Sequence, residues 1–409
     1  MDVIIERCAG LDVHKQTVQA CVLLLGSDGR LTEQIRCYST TTGPLLALRS
    51  WLQELQITDV AMESTGVFWK PIWNILEGFF HLLLVNPAHM KNVPGRKTDV
   101  KDCQWIAKLL QHGLLTGSFV PAHQQRVWRE LTRQRTQLVA QTTQVANRIQ
   151  KVLQDANIKL SSVASQVMGV SGRAMIQAMI AGTTDPATLA GLAKGVLKHK
   201  SEQLREALEG YIQREHCFLL KLLMDQLEHL ERLIHRLQRR IDAEMAGVAH
   251  LVQLLDTIPG VDKVVAQCIL AEVGTDMDHF PSDEQLAAWA GMCPGSDMSA
   301  GKRRSSRINP ANRWLRRSLV QAGWAASHTK DTYLCAQYHR LAGRRGVKRA
   351  LVAVGHTILV GVRHMLKDNV PWRDLGGDWF NHLRPDRLRR HLLKRLESLG
   401  YKVTLEPAA

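Results

Sequence analysis

The stretch that predicts the fold is RCAGLDVHKQTVQACVLLL, residues 7–25. Its second half, Thr17–Leu25, is rich in Val, Leu and Cys, a composition typical of a buried β-strand. The turn-forming residues SDGR, residues 27–30, follow, and Leu31–Tyr38 then predicts a returning strand. The stretch therefore predicts an antiparallel ribbon with Asp12 at the end of its first strand.

Helices and strands alternate after this ribbon. Leucines and a tryptophan at helical spacing predict a helix over Pro44–Gln56. The elements predicted next are a strand over Asp59–Met62 that ends at Glu63, a helix over Trp69–Glu77, a strand over His81–Val85 and a helix from Asp99 to about His112. This order is that of an α/β domain of the RNase H-like class, and it predicts such a domain over residues 1–121.

The order of these elements predicts where four acids lie in the fold. Asp12 and Glu63 end two strands, and Asp99 and Asp102 lie one turn apart on the later helix. Acids at a helix start also offset the helix dipole, which is the simpler interpretation of the last two. In open α/β sheets, however, sites gather at the carboxyl ends of strands, where converging carboxylates need cations between them. Oxygen donors suit Mg²⁺ or Mn²⁺, so the four acids predict a metal site of the kind that cleaves phosphodiesters.

The charge of the chain indicates a polyanionic partner. Lys and Arg outnumber Asp and Glu by 53 to 38, which gives a formal net charge of +15. Nucleic acid is favoured before a membrane, and we expect no membrane partner, because the longest apolar runs are too short to cross a bilayer. The eight cysteines include no C-x-x-C pair and the first residues are unlike a signal peptide. We therefore expect a reduced, cytoplasmic, nucleoid-associated protein; a merely soluble basic protein is the alternative.

Long polar helices are predicted over residues 122–248, as a coiled-coil linker. The first carries half of a coiled-coil seam, with apolar residues every seven positions at Leu131, Leu138, Val145 and Val152. The second carries a full seam at Leu223, Leu227, Leu230, Ile234, Leu237 and Ile241. The partner of this seam is either the first helix or another subunit, so self-association is expected. Residues 155–200 predict a small helical insertion.

The predicted C-terminal domain, residues 249–370, is mainly α-helical and opens with a helix–turn–helix around IPGV, residues 258–261. Such a turn either places backbone amides on a phosphate or forms a plain αα-corner. The segment GMCPGSDMSAGKRRSSRIN, residues 291–309, predicts a loop that ends where Asn309-Pro310 caps and starts a helix. The cations of this loop and helix are expected to bind phosphates, unless they are simply solvated: Lys302, Arg303, Arg304, Arg307, Arg313, Arg316 and Arg317. A basic tail follows over residues 371–409.

Six short blocks of this sequence resemble one family of mobile-element enzymes. In the N-terminal part the blocks are GLDVHK (residues 10–15), MESTG (62–66) and KTDVKD (97–102). In the C-terminal part they are LAAWAGMCP (286–294), SAGK (299–302) and NRWLRR (312–317). The chain is thus similar to the DEDD-type insertion-sequence transposases, the RuvC-like DNA recombinases that are guided by a bridge RNA.

The resemblance implies a role for each block. The matching acids Asp12, Glu63, Asp99 and Asp102 would hold catalytic Mg²⁺ (or Mn²⁺), and Ser299 would be the nucleophile that attacks the DNA backbone. The implied partners are donor and target double-stranded DNA, a guide non-coding RNA, and further copies of the chain in a homo-oligomer, a dimer or tetramer. The chain departs from the family pattern at Ser64, where alanine is expected, and in the Ser-Ala-Gly at Ser299. Ser296, Ser305 and Ser306 therefore stay as weaker candidates.

Other functions stay open beside this one. A metal-dependent, junction-resolving nuclease would use the acids and water without rejoining strands, whereas a serine nucleophile conserves bond energy in a covalent phosphoserine link. A non-catalytic nucleic-acid-binding protein would need neither group. GLDV at the end of a first strand also resembles the phosphate loop of actin-like kinases and chaperone ATPases. Those loops need small residues after the aspartate, where this chain has His14-Lys15-Gln16.

Overall fold

The computed structural model describes residues 3–26, 28–86, 102–294, 297–299, 302–305, 311–383 and 385–404. The chain forms two compact units, Met1–Pro121 and Ala122–Ala409. The predicted site residues Asp99 and Arg307 lie outside the described residues, as do Ser296 and Ser306. The further division of the second unit at residues 248 and 370 stays a prediction.

A five-stranded sheet forms the centre of the first unit. Its strands are β1 (Arg7–Val13), β2 (Thr17–Leu25), β3 (Leu31–Ser39), β4 (Asp59–Glu63) and β5 (His81–Val85), in the order β3-β2-β1-β4-β5. β2 is antiparallel to both β1 and β3, and β4 is parallel to both β1 and β5. The described helices of this unit are α1 (Thr42–Glu54), α2 (Trp69–Leu76) and α3 (Asp102–Gln111). The predicted ribbon and the alternation of helices and strands are confirmed.

The sheet separates two apolar layers, because successive side chains of a strand point to opposite faces of the sheet. In β1, Ala9, Leu11 and Val13 are fully buried in a cluster that includes residues of α1 and α2. Cys8 lies in a second cluster together with Cys103 of α3. The sheet is therefore covered by α1 and α2 on one face and by α3 on the other.

A glycine of β1 sets how closely α3 packs on the sheet. A Cβ atom at Gly10 would lie 2.3 Å from the Ala107 nitrogen and 2.4 Å from the Cys103 oxygen. Real Cβ atoms do not come that close to a backbone, so glycine alone lets the helix touch the strand. Asp102 is the first residue of α3, so this contact fixes the start of the helix near the end of β1.

Helices make up most of the second unit. Those described are α4 (His123–Asp155), α5 (Leu160–Val163), α6 (Val170–Ile180), α7 (Pro186–Gly191), α8 (Ser201–Leu208), α9 (Arg214–Glu244), α10 (Ala249–Asp256), α11 (Lys263–Val273), α12 (Asp283–Trp289), α13 (Arg313–Ala326), α14 (Tyr333–Arg345), α15 (Val347–Asp368), α16 (Trp379–Leu383) and α17 (Pro385–Ser398). Two short 3-10 helices, Gly195–Lys200 and Ala246–Val248, lie among them. The prediction that the second part of the chain is mostly helical is confirmed.

The two long helices α4 and α9 pack antiparallel on one another within the chain. At one end, the Trp128 indole nitrogen donates to the backbone oxygen of Glu244 at 3.1 Å. At the other end, His216 Nε2 lies 3.2 Å from Asp155 Oδ2. Both predicted seams contribute to one buried cluster, with Leu138 and Val145 from α4 and Leu227 and Leu230 from α9. The first helix of the same chain is therefore a partner of the leucine seam.

The predicted insertion is a set of short helices, α5 to α8, that share this core. Each of them buries at least one apolar side chain in the cluster: Leu160, Met175, Leu189 and Leu204 are 1% exposed or less. The insertion therefore extends the hydrophobic core of the long helix pair.

The helix–turn–helix around residues 258–261 is a packed corner between α10 and α11. Asp262 caps α11, since its Oδ1 accepts from the Val265 nitrogen at 2.8 Å. Gly260 has a φ of 85°, and a Cβ there would lie 2.4 Å from the Ala322 oxygen of α13. The turn thus packs its backbone against a helix of the same unit, which favours the αα-corner of the two predicted interpretations.

One described helix, α15, is long and apolar enough to cross a membrane by length and composition alone. It contains the C-terminal apolar run that the sequence predicts to be too short. Half of its apolar stretch is buried inside the protein, and Val354, Ile358, Leu359 and Val362 are completely buried. These residues pack toward α13 and α14, so the apolar face of α15 is used as core of the second unit.

Candidate functional site

Asp12 and Glu63 end neighbouring parallel strands. Leu11 pairs with Met62 in the register of β1 and β4, so the two acids follow side by side. Alternation along the strands puts both acids on the face of Ala61, which α3 covers. Both therefore lie at the carboxyl ends of strands, where the sequence predicts them; their role stays a prediction.

Asp102 approaches the two acids from α3. It is the first residue of that helix, and the Gly10 contact holds the helix start against β1. The charges of Asp12 and Asp102 both act on Glu63. Three of the four predicted acids thus come together at one edge of the sheet, and the fourth, Asp99, lies outside the described residues.

The position of Glu63 raises the pKa of its carboxyl above the ordinary value. Burial is the largest cause, and the negative charges of Asp12 and Asp102 add to it. A hydrogen bond with Thr65 and the nearby His14 act in the opposite direction. Ionised Glu63 is therefore electrostatically costly, and a cation bound beside it would reverse the effect.

His14 is a site residue that the sequence reasoning missed. Its Nε2 lies 3.1 Å from Asp12 Oδ2. Its backbone nitrogen donates to the Thr17 oxygen at 2.9 Å, in the turn between β1 and β2. Asp12 is only 8% exposed, so the imidazole satisfies part of a nearly buried carboxylate. The available signal was its place two residues after the acid, at the start of a tight turn.

The described acids carry oxygen donors of the kind that binds hard divalent cations. Carboxylate oxygens suit Mg²⁺ and Mn²⁺, and Asp12, Glu63 and Asp102 lie at the same edge of the sheet. Among the residues that the structure describes, no three His, Cys, Asp or Glu side chains lie close enough together to hold a metal ion. The carboxylate oxygens are thus the right kind of donor for the metal. The positions of the described side chains, however, define no coordination geometry for it.

A β-hairpin lies within residues 291–309, where the sequence predicts a loop. β6 (Asp297–Ser299) and β7 (Lys302–Ser305) are antiparallel, with Ser299 paired to Lys302 and Met298 paired to Arg303. The prediction of a loop is wrong here because the strands are short and polar, without the apolar alternation that predicts a strand.

The helix after this hairpin begins later than predicted. Asn312 caps it, since its Oδ1 accepts from the Trp314 and Leu315 nitrogens at 3.1 Å each, and α13 starts at Arg313. The predicted start at Asn309-Pro310 is therefore wrong, because a second asparagine with the same capping chemistry stands three residues further on.

The predicted phosphate-binding cations fall on two adjacent elements. Lys302, Arg303 and Arg304 lie on β7 beside the strand of Ser299. Arg313 and Arg317 are exposed on α13, and Arg316 is half-buried there. The serine and six of the seven predicted cations therefore belong to one hairpin and the helix that follows it.

Glu272 of α11 anchors this segment, and the sequence reasoning missed it. The side chain is 2% exposed, and it accepts two parallel hydrogen bonds, from Arg133 Nε at 2.6 Å and Nη2 at 2.7 Å. Arg129 Nε lies 3.4 Å from the same carboxylate. Asn312 Nδ2 also donates to Glu272 Oε2, at 2.7 Å. One carboxylate therefore joins α11, the long helix α4 and the cap of α13.

One aromatic ring lies beside each of the two arginines of this network. The guanidinium of Arg129 lies 5.7 Å from the Trp289 ring centroid, and that of Arg133 lies 5.7 Å from that of Trp314. Burial lowers the pKa of Arg129 to about 10, so it stays charged at neutral pH. The signal for Glu272 in the sequence is that it is the sole acid of KVVAQCILAEV, an otherwise largely apolar helix.

Comparison with known families gives these sites a context. A family model described as the IS110 DEDD transposase matches residues 9–158, and one described as "Transposase IS116/IS110/IS902 family" matches residues 252–340. The chain carries the transposase domains of the IS110/IS116 family. The first match includes the clustered acids of this transposase, and the second includes Ser299 and Glu272.

A curated relative agrees with these matches. The transposase is 25% identical over 277 residues to a probable family 20 transposase from Pseudomonas aeruginosa, which is 68% of this chain and 73% of the relative. Transposases cleave and join DNA, and insertion-sequence transposition is the process in which this family acts. DEDD transposase domains typically use divalent metal ions.

The raised pKa of Glu63 predicts a pH-dependent effect of Glu63→Gln on the metal-free transposase. A carboxyl with a raised folded-state pKa holds its proton longer in the folded than in the unfolded chain, so stability falls as pH rises from the ordinary value, about 4.3, through the folded pKa. Glu63→Gln should therefore raise the melting temperature at pH 7 and lose this advantage near pH 4. Calorimetric scans across this range would measure it, with exposed Glu6→Gln as the control.

Addition of Mn²⁺ at pH 7 should make the wild-type transposase more stable than the Glu63→Gln variant. The wild-type transposase should gain stability in proportion to RT ln(1 + [Mn²⁺]/Kd), and Glu63→Gln should gain much less. A Glu63→Gln variant that is less stable than wild type in the absence of metal would contradict the electrostatic description of the edge.

The Glu272 network predicts a large loss of stability for Glu272→Gln. The amide keeps the shape of the side chain but removes the negative charge that faces Arg129 and Arg133, which should cost about 3 kcal/mol. The matched control is Glu202→Gln, which removes an exposed ion pair with Arg205 of 3.3 Å and should change little. Urea unfolding followed by circular dichroism would compare the two, and equal effects would show that Glu272 is not an anchor.

Proposed function

We propose that the transposase is an RNA-guided DNA recombinase of an insertion sequence, which cuts and rejoins DNA strands through Ser299 with help from a Mg²⁺-binding acid set. The acid set is Asp12, Glu63, Asp99 and Asp102. The order of the five strands, an antiparallel ribbon followed by two parallel strands, supports an RNase H-like, RuvC-like first domain. The observation that carries the proposal is that Ser299 pairs with Lys302 on a short cationic hairpin inside the second family match.

The acids at the sheet edge are proposed to hold Mg²⁺ or Mn²⁺. Bound divalent ions would neutralise charge on the phosphate and lower the pKa of an attacking oxygen. The chain itself supplies the carboxylate oxygens, and His14 orients Asp12 by the 3.1 Å contact. The convergence of Asp12, Glu63 and Asp102 and the raised pKa of Glu63 support this assignment.

The serine accounts for rejoining as well as cutting. In the proposed step the Ser299 hydroxyl loses its proton to a base and its Oγ forms a bond to phosphorus. The phosphorus–oxygen bond to the neighbouring nucleotide breaks, and the departing oxygen takes up a proton. The covalent phosphoserine keeps one phosphoester bond in place of the one lost, so a strand hydroxyl can later attack it and release the serine. Cations on the hairpin and α13 would offset the charge of the phosphate oxygens.

The proposed partners are donor and target double-stranded DNA, a guide non-coding RNA and further copies of the chain. A formal net charge of +15 supports binding of nucleic acid. The guide RNA and the homo-oligomer rest on the resemblance of the sequence blocks. Action in the cytoplasm, at the nucleoid, follows from the DNA substrate.

Covalent capture of DNA tests the proposal. Wild-type transposase, its RNA and end-labelled DNA of the element junction, incubated with Mg²⁺, should give a DNA-linked protein band on a denaturing gel. Ser299→Ala should abolish this band, because no hydroxyl remains to form the phosphoester. Ser305→Ala is the matched control, since it lies on the other strand of the same hairpin, and it should keep the band.

Two results would contradict the proposal. A Ser299→Ala variant that still captures DNA would exclude Ser299 as the nucleophile. Wild-type protein that releases free-ended products without any covalent intermediate would favour the metal-dependent nuclease.

A further inference from the structure

One side of α13 carries a continuous polar and aromatic stripe on the surface of the second unit. We define the α13 stripe as Arg313, Arg317, Gln321, Trp324 and, just after the helix, His328. All five residues are exposed, and their spacing of four, four, three and four keeps them on one side of the helix. The opposite side is the buried one, with Leu315, Leu319, Ala322 and Ala326 completely inaccessible.

Trp324 is the unusual member of this stripe. Its side chain is 58% exposed, although tryptophan is among the most apolar side chains. It lies eleven residues from Arg313, about 16 Å along the helix at 1.5 Å per residue. A large exposed ring in line with two exposed guanidinium groups has the composition of surfaces that bind single-stranded nucleic acid.

The indole is supported from one side. The His328 ring centroid lies 4.6 Å from that of Trp324, and His328 Nδ1 lies 2.8 Å from the Trp324 backbone oxygen. Ser327 Oγ donates to the same oxygen at 2.6 Å. These contacts fix the turn that follows Trp324 and brace its ring, so less freedom is lost when a planar ligand stacks on it.

We propose that the α13 stripe binds an unpaired segment of DNA, with Arg313 and Arg317 on its phosphates and Trp324 stacked on a base. The base face must be accessible for stacking, and in a duplex it is covered by neighbouring base pairs. Strand exchange, the proposed function on which this inference rests, exposes unpaired bases next to the cut. The charge of the two arginines is complementary to the DNA backbone.

Binding measurements with single-residue variants test this assignment. The probe is a fluorescein-labelled mixed-sequence DNA strand of about 20 nucleotides, followed by anisotropy with the full-length protein. Trp324→Ala should weaken binding about tenfold, whereas Trp324→Phe, which keeps an aromatic face, should recover most of it. Trp379→Ala, at an exposed tryptophan outside the stripe, should bind as wild type does.

Salt dependence separates stacking from charge. Arg317→Ala should lower the slope of log affinity against log salt by about 0.7, because one phosphate contact is lost. Trp324→Ala should leave this slope unchanged. With a strand made of abasic nucleotides, wild type and Trp324→Ala should bind equally, since no base is present to stack.

Several outcomes would overturn the inference. Unchanged affinity of Trp324→Ala together with weaker binding by Arg317→Ala would show that the stripe contacts phosphates alone, which overturns the proposed stacking on an unpaired base. Unchanged affinity of both would exclude the stripe altogether. A larger effect of Trp324→Ala on RNA of the same sequence than on DNA would assign the stripe to RNA, and a changed subunit number in sedimentation would assign it to an interface between copies.

Discussion

The backbone contact between Gly10 and α3 is the constraint that brings Asp12, Glu63 and Asp102 to one edge of the sheet. Asp12 lies two residues after this glycine, and Asp102 lies one residue before Cys103, whose oxygen would be 2.4 Å from a Cβ at position 10. A larger residue would push the helix start away from the strand. Within the GLD motif, Gly10 therefore sets the distance between β1 and α3, and Asp12 lies where the start of α3 comes close to the strand.

The second unit has an analogous anchor in Glu272. A buried carboxylate with two arginine partners contributes little net stability, because desolvation offsets most of the attraction, but it fixes geometry. Here it fixes the Asn312 cap of α13 relative to α4. The hairpin that carries Ser299 ends at Ser305, a few residues before that cap. Glu272 therefore fixes the position at which the chain continues from the hairpin into α13. In both units, then, a short-range contact on a rigid element positions a residue that has a role in the proposed function.

The sequence predicted the parts of the fold that depend on local pattern. The strands of the first unit and the two long helices follow from apolar periodicity, and the acids at strand ends follow from the order of the elements. The sequence alone shows Gly10 only as part of a motif, because its close contact with Ala107 joins positions far apart in the chain. The partner of the leucine seam was open for the same reason.

The parts that were missed depend on tertiary context or weak local signals. The hairpin of Ser299 consists of polar strands of three and four residues, too short for a periodic signal. The sequence predicts the start of α13 at Asn309-Pro310, whereas Asn312 caps the helix. Glu272 and His14 became site residues only through partners that the fold brings to them. The roles of the predicted acids and of Ser299 stay predictions, as does Asp99 altogether.

Mn²⁺ binding by glycine variants would show whether the contact between Gly10 and α3 positions the acids of the first unit. If the acids hold Mn²⁺ as proposed, titration calorimetry should show Gly10→Ala binding Mn²⁺ at least about tenfold more weakly than wild type, because the added Cβ would displace the start of α3, which carries Asp102. Gly43→Ala, where an added Cβ meets nothing within 4 Å, should bind as wild type does. Asp102→Asn should show the same loss even if Gly10→Ala does not fold. Wild-type Mn²⁺ affinity in folded Gly10→Ala or in Asp102→Asn would contradict the account.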